Sequence, residues 1–156
     1  MDLEERIRDI LRDRDIAYEV VDHEPVYTNP AMAEALGVDE AATIKSIVAV
    51  TREDELIVVV LPGNRRIDWK QVARCAGTKK VTFAKPDRVS QVVGCEVGCV
   101  PPFGQLTDLP VYMDPAVMEM ESVYFNPGVH DASYRIRPAD LKRLCRPVMM
   151  LKEERG

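Results

Sequence analysis

Apolar positions along the chain change period several times, and each change marks an element. Leu3, Ile7, Ile10 and Leu11 form one stripe at helical spacing, opened by an Asp2/Glu5 pair of the capping type, so a first helix is predicted to end near Arg14. Residues 18–22 predict a short strand. After a loop over 23–28, Asn29-Pro30 opens and Gly37 closes a second helix, with proline in the first turn and glycine just past the end. The β-branched runs 44–50 and 56–61 flank the charged turn Arg52-Glu53-Asp54-Glu55, a hairpin pattern that requires antiparallel pairing.

Pro62-Gly63-Asn64 breaks that second strand. Asp68 then caps a helix running to about Cys75 and ending at Gly77. Further on the pattern predicts a strand at 81–84, a helix over 86–93 that starts on Pro86 and stops at Gly94, strands at 111–114, 122–125 and 134–137, and a last helix over 138–144. Strands and helices alternate irregularly and include a hairpin, which predicts an α+β fold and not a doubly wound parallel sheet. No repeat, low-complexity tract or linker interrupts the chain, so residues 1–156 are expected to form a single domain.

Two segments depart from this regular patterning. In the first strand of the hairpin Ile44, Ser46, Val48 and Val50 share one face, while Lys45, Ile47 and Ala49 share the other, which sets an ammonium among apolar side chains. Such a lysine either snorkels from a strand end or serves as a partly desolvated anion-binding group. The second is Gly94-Cys95-Glu96-Val97-Gly98-Cys99-Val100-Pro101-Pro102-Phe103-Gly104, where glycines and paired prolines break an apolar run. It reads as a structural turn or as a rigid loop that presents backbone N–H groups to a carbonyl or phosphate.

Composition narrows the function classes. With 46% hydrophobic and 30% charged residues, the chain of 156 can bury one good core. The longest apolar run, 56–61, is far short of the roughly 20 residues that span a membrane. The acidic start Met1-Asp2-Leu3-Glu4-Glu5 is unlike a secretory leader, so a cytoplasmic protein without membrane attachment is expected. The formal charge of −5 argues against a protein that coats nucleic acid through its overall field, while leaving room for local basic clusters at Arg65, Arg66, Lys70 and Arg74, at Lys79, Lys80, Lys85 and Arg88, and between Arg135 and Arg146. Cys75, Cys95, Cys99 and Cys145 are too scattered for a disulfide framework, and the one C-x3-C pair lacks nearby histidines, so neither a metal nor a cofactor is expected.

The order of four segments carries a family resemblance: the lysine-bearing strand Ala42-Thr43-Ile44-Lys45-Ser46-Ile47-Val48-Ala49-Val50, the G-x-x-x-P-P-F-G loop, Val111-Tyr112-Met113-Asp114, and the Gly-centred turn Asn126-Pro127-Gly128-Val129-His130 before a last helix. The chain resembles the YbaK/prolyl-tRNA-synthetase-associated domains, which are aminoacyl-tRNA editing deacylases. That resemblance implies a mixed, largely antiparallel twisted sheet or partly closed barrel flanked by helices. It also implies hydrolysis of mischarged tRNA, above all proline tRNA bearing cysteine, alanine or another small amino acid. The partner it implies is the tRNA acceptor end, with prolyl-tRNA synthetase as a further one; the oligomeric state is left open.

By the same resemblance Lys45 is needed for deacylation, and Gly98, with its neighbours, holds the reacting carbonyl. Ser46, Cys99, Pro101, Pro102, Phe103, Gly104, Asp114, Gly128 and His130 are the substrate-binding candidates. Asp114 before Pro115 reads equally as a turn cap, and His130 equally as a surface loop residue. Asn126-Pro127 stands where the family often has a glycine pair or Ala-Gly, which affects pocket shape. No Ser-His-Asp set or H-E-x-x-H motif is present, in keeping with substrate-assisted hydrolysis. A tRNA-binding module without chemistry and a small-molecule esterase using the same loop are the competing classes.

Overall fold

The computed structural model describes residues 2–95, 100–103 and 108–150. Helix α1, Leu3–Asp13, starts where Asp2 Oδ1 accepts from the Glu5 N–H at 2.8 Å. Its apolar stripe buries Ile7 and Leu11 completely. Strand β1, Glu19–Asp22, leads to α2, Asn29–Leu36, capped by Thr28 and closed at Gly37. The hairpin is β2, Ile44–Thr51, with β3, Leu56–Pro62; then come α3, Trp69–Ala76, β4, Val81–Phe83, and α4, Pro86–Val93. The C-terminal part holds β5, Val111–Met113, β6, Val123–Phe125, β7, Ala132–Ile136, α5, Pro138–Cys145, and β8, Val148–Met149. Two single turns of 3-10 helix, Glu40–Ala42 and Pro115–Glu119, and the strand β8 have no counterpart among the sequence expectations.

The strands form two sheets, ordered β1-β7-β6 and β4-β2-β3-β5-β8. Pairing is antiparallel between β1 and β7, β6 and β7, β2 and β3, and β2 and β4, and parallel between β3 and β5 and between β5 and β8. The α+β class and the largely antiparallel pairing are therefore as expected, in two open sheets: β4 and β8 are edges of one, and among the described residues a parallel bridge between Thr43 and Tyr124 links the two. Every residue of β3 is buried. This follows from its central position, with one face on each of two cores, and it explains the uninterrupted apolar run.

The alternation of β2 divides those cores. Ile44 and Val48, with Val58 and Val60 of β3, enter the main core between the sheets, where α1, α4 and α5 contribute Ile7, Val89 and Leu141. Ala49, with Val59 and Leu61, faces a smaller core under α3, closed by Val72, Ala73 and Val81, with Ile47 packed against it. Among the described residues no helix is long and apolar enough to cross a membrane.

Candidate functional site

The start of β2 is held by a knot of side chains around Gly63. The Asn29 amide donates to Thr43 Oγ1 at 3.0 Å and to the Ile44 carbonyl at 3.3 Å, and Thr43 Oγ1 donates to the Glu40 carbonyl at 2.7 Å. The Gly63 N–H donates to the Thr43 carbonyl at 2.8 Å. Any Cβ on Gly63 would run into Thr43 Oγ1 and would stand 2.8 Å from the Asn29 Cβ, so this close approach requires glycine. The first turn of α2 is thereby fixed against the first residues of β2, and Lys45 and Ser46 emerge beside Asn29.

Two cavities meet at that point. A compartment of about 60 Å³ is lined by Tyr27, Asn29, Met32, Ile44, Lys45 and Ser46, among others. A larger apolar groove of about 470 Å³ shares Asn29, Lys45, Ser46 and Val100 with it and continues past Arg66, Trp69 and Phe83. Lys45 Nζ donates to the Arg65 carbonyl at 2.9 Å. Lys45 pairs with Leu61 in the ladder, which puts its ammonium beside the turn after β3 and not in the core. A held ammonium, a hydroxyl and an amide thus border one small and one elongated space. Such a set can hold an anionic or hydroxyl-bearing ligand at the junction while an apolar part fills either side.

The other sequence candidates fall in different places. Gly98, Cys99 and Gly104 lie outside the described residues. Phe103, expected to bind substrate, is a core residue instead: it is 1% exposed and packs edge-on against Phe125 with ring centroids 5.0 Å apart. Pro101 and Pro102 are buried next to it, and the Pro102 carbonyl accepts from Cys145 Sγ of α5 at 2.9 Å. Residues 100–103 of the Gly-Pro loop are consequently pinned into the core, and of these only Val100 borders the two cavities. Burial pushes the Cys145 thiol well above its ordinary range, which makes it an inert anchor.

Asp114 caps the 3-10 turn after β5, accepting from the Ala116 N–H at 2.8 Å, and its other oxygen stands 3.7 Å from Arg65 Nη1. It borders a neighbouring cleft of about 620 Å³, which shares Arg66 and Ile67 with the apolar groove and in which Arg65 and Arg66 face Asp68, Asp114 and Glu119. Gly128 serves packing: its φ of +95° is left-handed and its Cα faces Leu3 of α1 so closely that a Cβ would come within 2.6 Å of Leu3 Cδ2. His130 comes nearer to the site. Its Nδ1 lies 3.2 Å from the Val26 carbonyl and its ring contacts that of Tyr27, centroids 4.4 Å apart, at the wall of the small compartment.

Asn29, Tyr27 and Trp69 were not singled out by the sequence. Asn29 registers there only as a helix start, and nothing local marks Tyr27 or Trp69, although Tyr27 at 71% exposed is a large apolar side chain in water. His23, in the loop over 23–28, has Nε2 2.8 Å from Ser133 Oγ and Nδ1 2.8 Å from the Glu24 carbonyl. Among the described residues no group of three metal-ligating side chains comes together.

Comparison with known proteins places this geometry in a family. Residues 23–144 match the model of the aminoacyl-tRNA editing domain. The multifunctional Ser/Thr-tRNA deacylase ProXp-y of Escherichia coli strain K12 is 26% identical over 150 residues, 94% of this chain and 90% of that protein. The prolyl-tRNA editing protein ProX of Acetoanaerobium sticklandii is 25% identical over 152 residues, 94% of this chain and 92% of that protein. A crystal structure described as a candidate trans-editing enzyme for prolyl-tRNA synthetase superposes with a TM-score of 0.85 at 27% identity, covering 99% of both chains. The fold, the matched segment and these relatives agree with the resemblance carried by the lysine strand and the Gly-Pro loop: the chain belongs to the aminoacyl-tRNA editing domain family.

Proposed function

We propose that this protein is an aminoacyl-tRNA deacylase that acts in trans, hydrolysing the ester between a misplaced amino acid and the terminal ribose of a tRNA. Family membership and relatives named for this activity support the reaction class, a carboxylic ester hydrolysis. The observation that carries the reading at residue level is the junction at Lys45 and Ser46, where a compartment of about 60 Å³ opens beside a long apolar groove. The small space suits a side chain of a few heavy atoms, since one water takes about 30 Å³ of liquid volume. The groove suits the nucleotide end.

In the proposed reaction a water oxygen, or a substrate hydroxyl that is later exchanged for water, bonds to the ester carbonyl carbon. The ester C–O bond then breaks, the ribose oxygen leaves with a proton, and free amino acid and tRNA result. An aminoacyl ester is already activated, so positioning and oxyanion stabilisation supply most of the acceleration. Lys45 is assigned to hold the terminal ribose or phosphate, and backbone N–H groups of the loop around Gly98 to the carbonyl oxygen. Ser46 and Asn29 orient the ester at the junction, and Tyr27 with His130 walls the amino-acid side. The substrate we favour is proline tRNA carrying a small amino acid such as alanine, cysteine or serine, with prolyl-tRNA synthetase as the source of the error.

A panel of mischarged tRNAs assayed beside the corresponding free aminoacyl ethyl esters tests this reading. Rapid release from tRNA with little turnover of the free esters is expected. Equal turnover of both would establish a small-molecule esterase, and binding of tRNA without release would establish a binding module.

A further inference from the structure

The groove that starts at Lys45 does not stop at Phe83. Trp69 and Phe83 are shared by a second groove of about 390 Å³, which runs on between α3 and β4 past Lys70, Lys79 and Lys80. Phe83 stands 63% exposed on β4, the edge strand of the five-stranded sheet. The Trp69 ring meets it edge-on, at 4.8 Å between centroids and 80° between planes. An exposed phenyl ring held against an indole offers a rigid flat face to solvent.

The charges along this path are one-sided. Among the described residues Lys45 and Arg66 line the first groove, Lys70, Lys79 and Lys80 line the second, and no carboxylate lines either. That is unexpected by chance in a chain whose acidic residues outnumber its basic ones, 26 to 21. The 620 Å³ cleft is different, because Asp68, Asp114 and Glu119 offset its two arginines. An aromatic platform flanked by lysines is the combination that binds single-stranded nucleic acid, with bases on the rings and phosphates on the ammonium groups. Apolar peptides or lipid tails would gain nothing from the lysines, and duplex would not reach the ring faces.

We infer that Trp69 and Phe83 form a stacking platform for the unpaired 3′-terminal nucleotides of the tRNA, with Lys70, Lys79 and Lys80 on their phosphates, leading the terminal ribose to Lys45. The inference rests on the deacylase reading for the identity of the strand, but it is tested without turnover. Trp69 is the single tryptophan of the chain, so a base that stacks beside it reports through indole fluorescence.

The experiment titrates the full protein with an uncharged acceptor-stem hairpin of proline tRNA ending in its single-stranded CCA, and with the same hairpin lacking those three nucleotides. Quenching that requires the CCA end is expected. Phe83→Ala should weaken hairpin binding about tenfold and Phe83→Tyr should restore it, since stacking is worth about 1–3 kcal/mol per base. Replacing Lys79 and Lys80 together by alanine should lower the salt slope of log K by roughly 1.4, at about 0.7 per phosphate on a single strand. Identical binding of the two hairpins, or unchanged affinity in Phe83→Ala, overturns the platform. If mischarged tRNA is hydrolysed normally by Phe83→Ala, the platform fails and the deacylase reading stands; CCA-dependent quenching in a protein that releases no amino acid sustains the platform and removes the deacylase.

Discussion

Lys45 Nζ donates to the Arg65 carbonyl at 2.9 Å, so among the described residues the ammonium nearest the cavity junction is tied to the turn after β3 rather than to a carboxylate. A carboxylate partner would neutralise the lysine, whereas a carbonyl leaves its full charge and two further N–H donors for a ligand. The same contact joins the lysine to the segment that carries Arg65 and Arg66, next to the entrance of the long groove.

Replacing Lys45 by alanine should therefore abolish deacylation and leave the fold intact. Its hydrogen bond to the Arg65 carbonyl is exposed, and substitutions at such sites change stability by within about 0.5 kcal/mol, which for a chain of this size shifts melting by about 2 °C at most. Turnover of mischarged proline tRNA measured beside a melting curve checks this. A folded Lys45→Ala protein with near-normal turnover would remove the lysine from the site.

The knot around Gly63 gives a second expectation. A Cβ there would overlap Thr43 Oγ1 and crowd Asn29, whose Nδ2 would lie 2.7 Å away, so Gly63→Ala must push α2 off the start of β2. Overpacking of this kind costs about 1–3 kcal/mol. Because Asn29 borders both cavities, activity should fall by more than the lost stability explains. Chemical denaturation gives the first quantity and single-turnover deacylation of the folded fraction gives the second; a loss of stability with full activity would show that Asn29 does not orient the ester.

The sequence was legible wherever a signal is local. Asp2, Asp68 and the glycines after α2, α3 and α4 mark helix ends because caps act within one turn, and the 44–61 hairpin is marked by its own turn. The parallel neighbours β3, β5 and β8 are joined through distant segments, so no short-range pattern announces them. Phe103 illustrates the limit at the site: an aromatic ring in a Gly-Pro loop looks the same in sequence whether it lines a pocket or plugs a core, and only Phe125 against it decides. Gly128 likewise reads as a pocket glycine until Leu3 of α1 is found packed on it. Lys45 stands out in sequence because an ammonium within an apolar strand breaks the alternation that surrounds it, and the structure places it beside two cavities.

Cys145 sets a pH dependence. Burial raises its folded-state pKa above the ordinary value of about 8.5, so the folded protein favours the neutral thiol. The resulting stability is complete below about pH 8.5 and is lost as pH rises beyond it, since the unfolded chain releases that proton first. Tyr134, raised by burial and by its bond to Glu4, adds a loss of the same sign only above about pH 10. Unfolding free energies from denaturant titrations between pH 8.5 and 10 should fall in the native protein by up to about 1.4 kcal/mol per pH unit from this thiol and more gently in Cys145→Ala. Parallel slopes for the two proteins would show that burial does not hold the Cys145 thiol neutral.

Selectivity should be set by the walls of the small compartment, of which Ile44 is the gentlest to trim. Ile44 is buried, and Ile44→Val removes one methylene at a cost of about 0.5–1.5 kcal/mol, which the fold can absorb. One methylene in an apolar pocket discriminates by about 10- to 200-fold. If the compartment of about 60 Å³ receives the amino-acid side chain, Ile44→Val should raise the rate for 2-aminobutyryl-tRNA relative to alanyl-tRNA by about tenfold. The gain should appear in kcat/KM, because the extra carbon is accommodated in the transition state as well as on binding. Competition between the two charged tRNAs in one reaction measures the ratio directly, independent of enzyme concentration and of any partial unfolding. An unchanged ratio would place the amino acid elsewhere, with the long groove past Val48 and Ala84 as the remaining space for it.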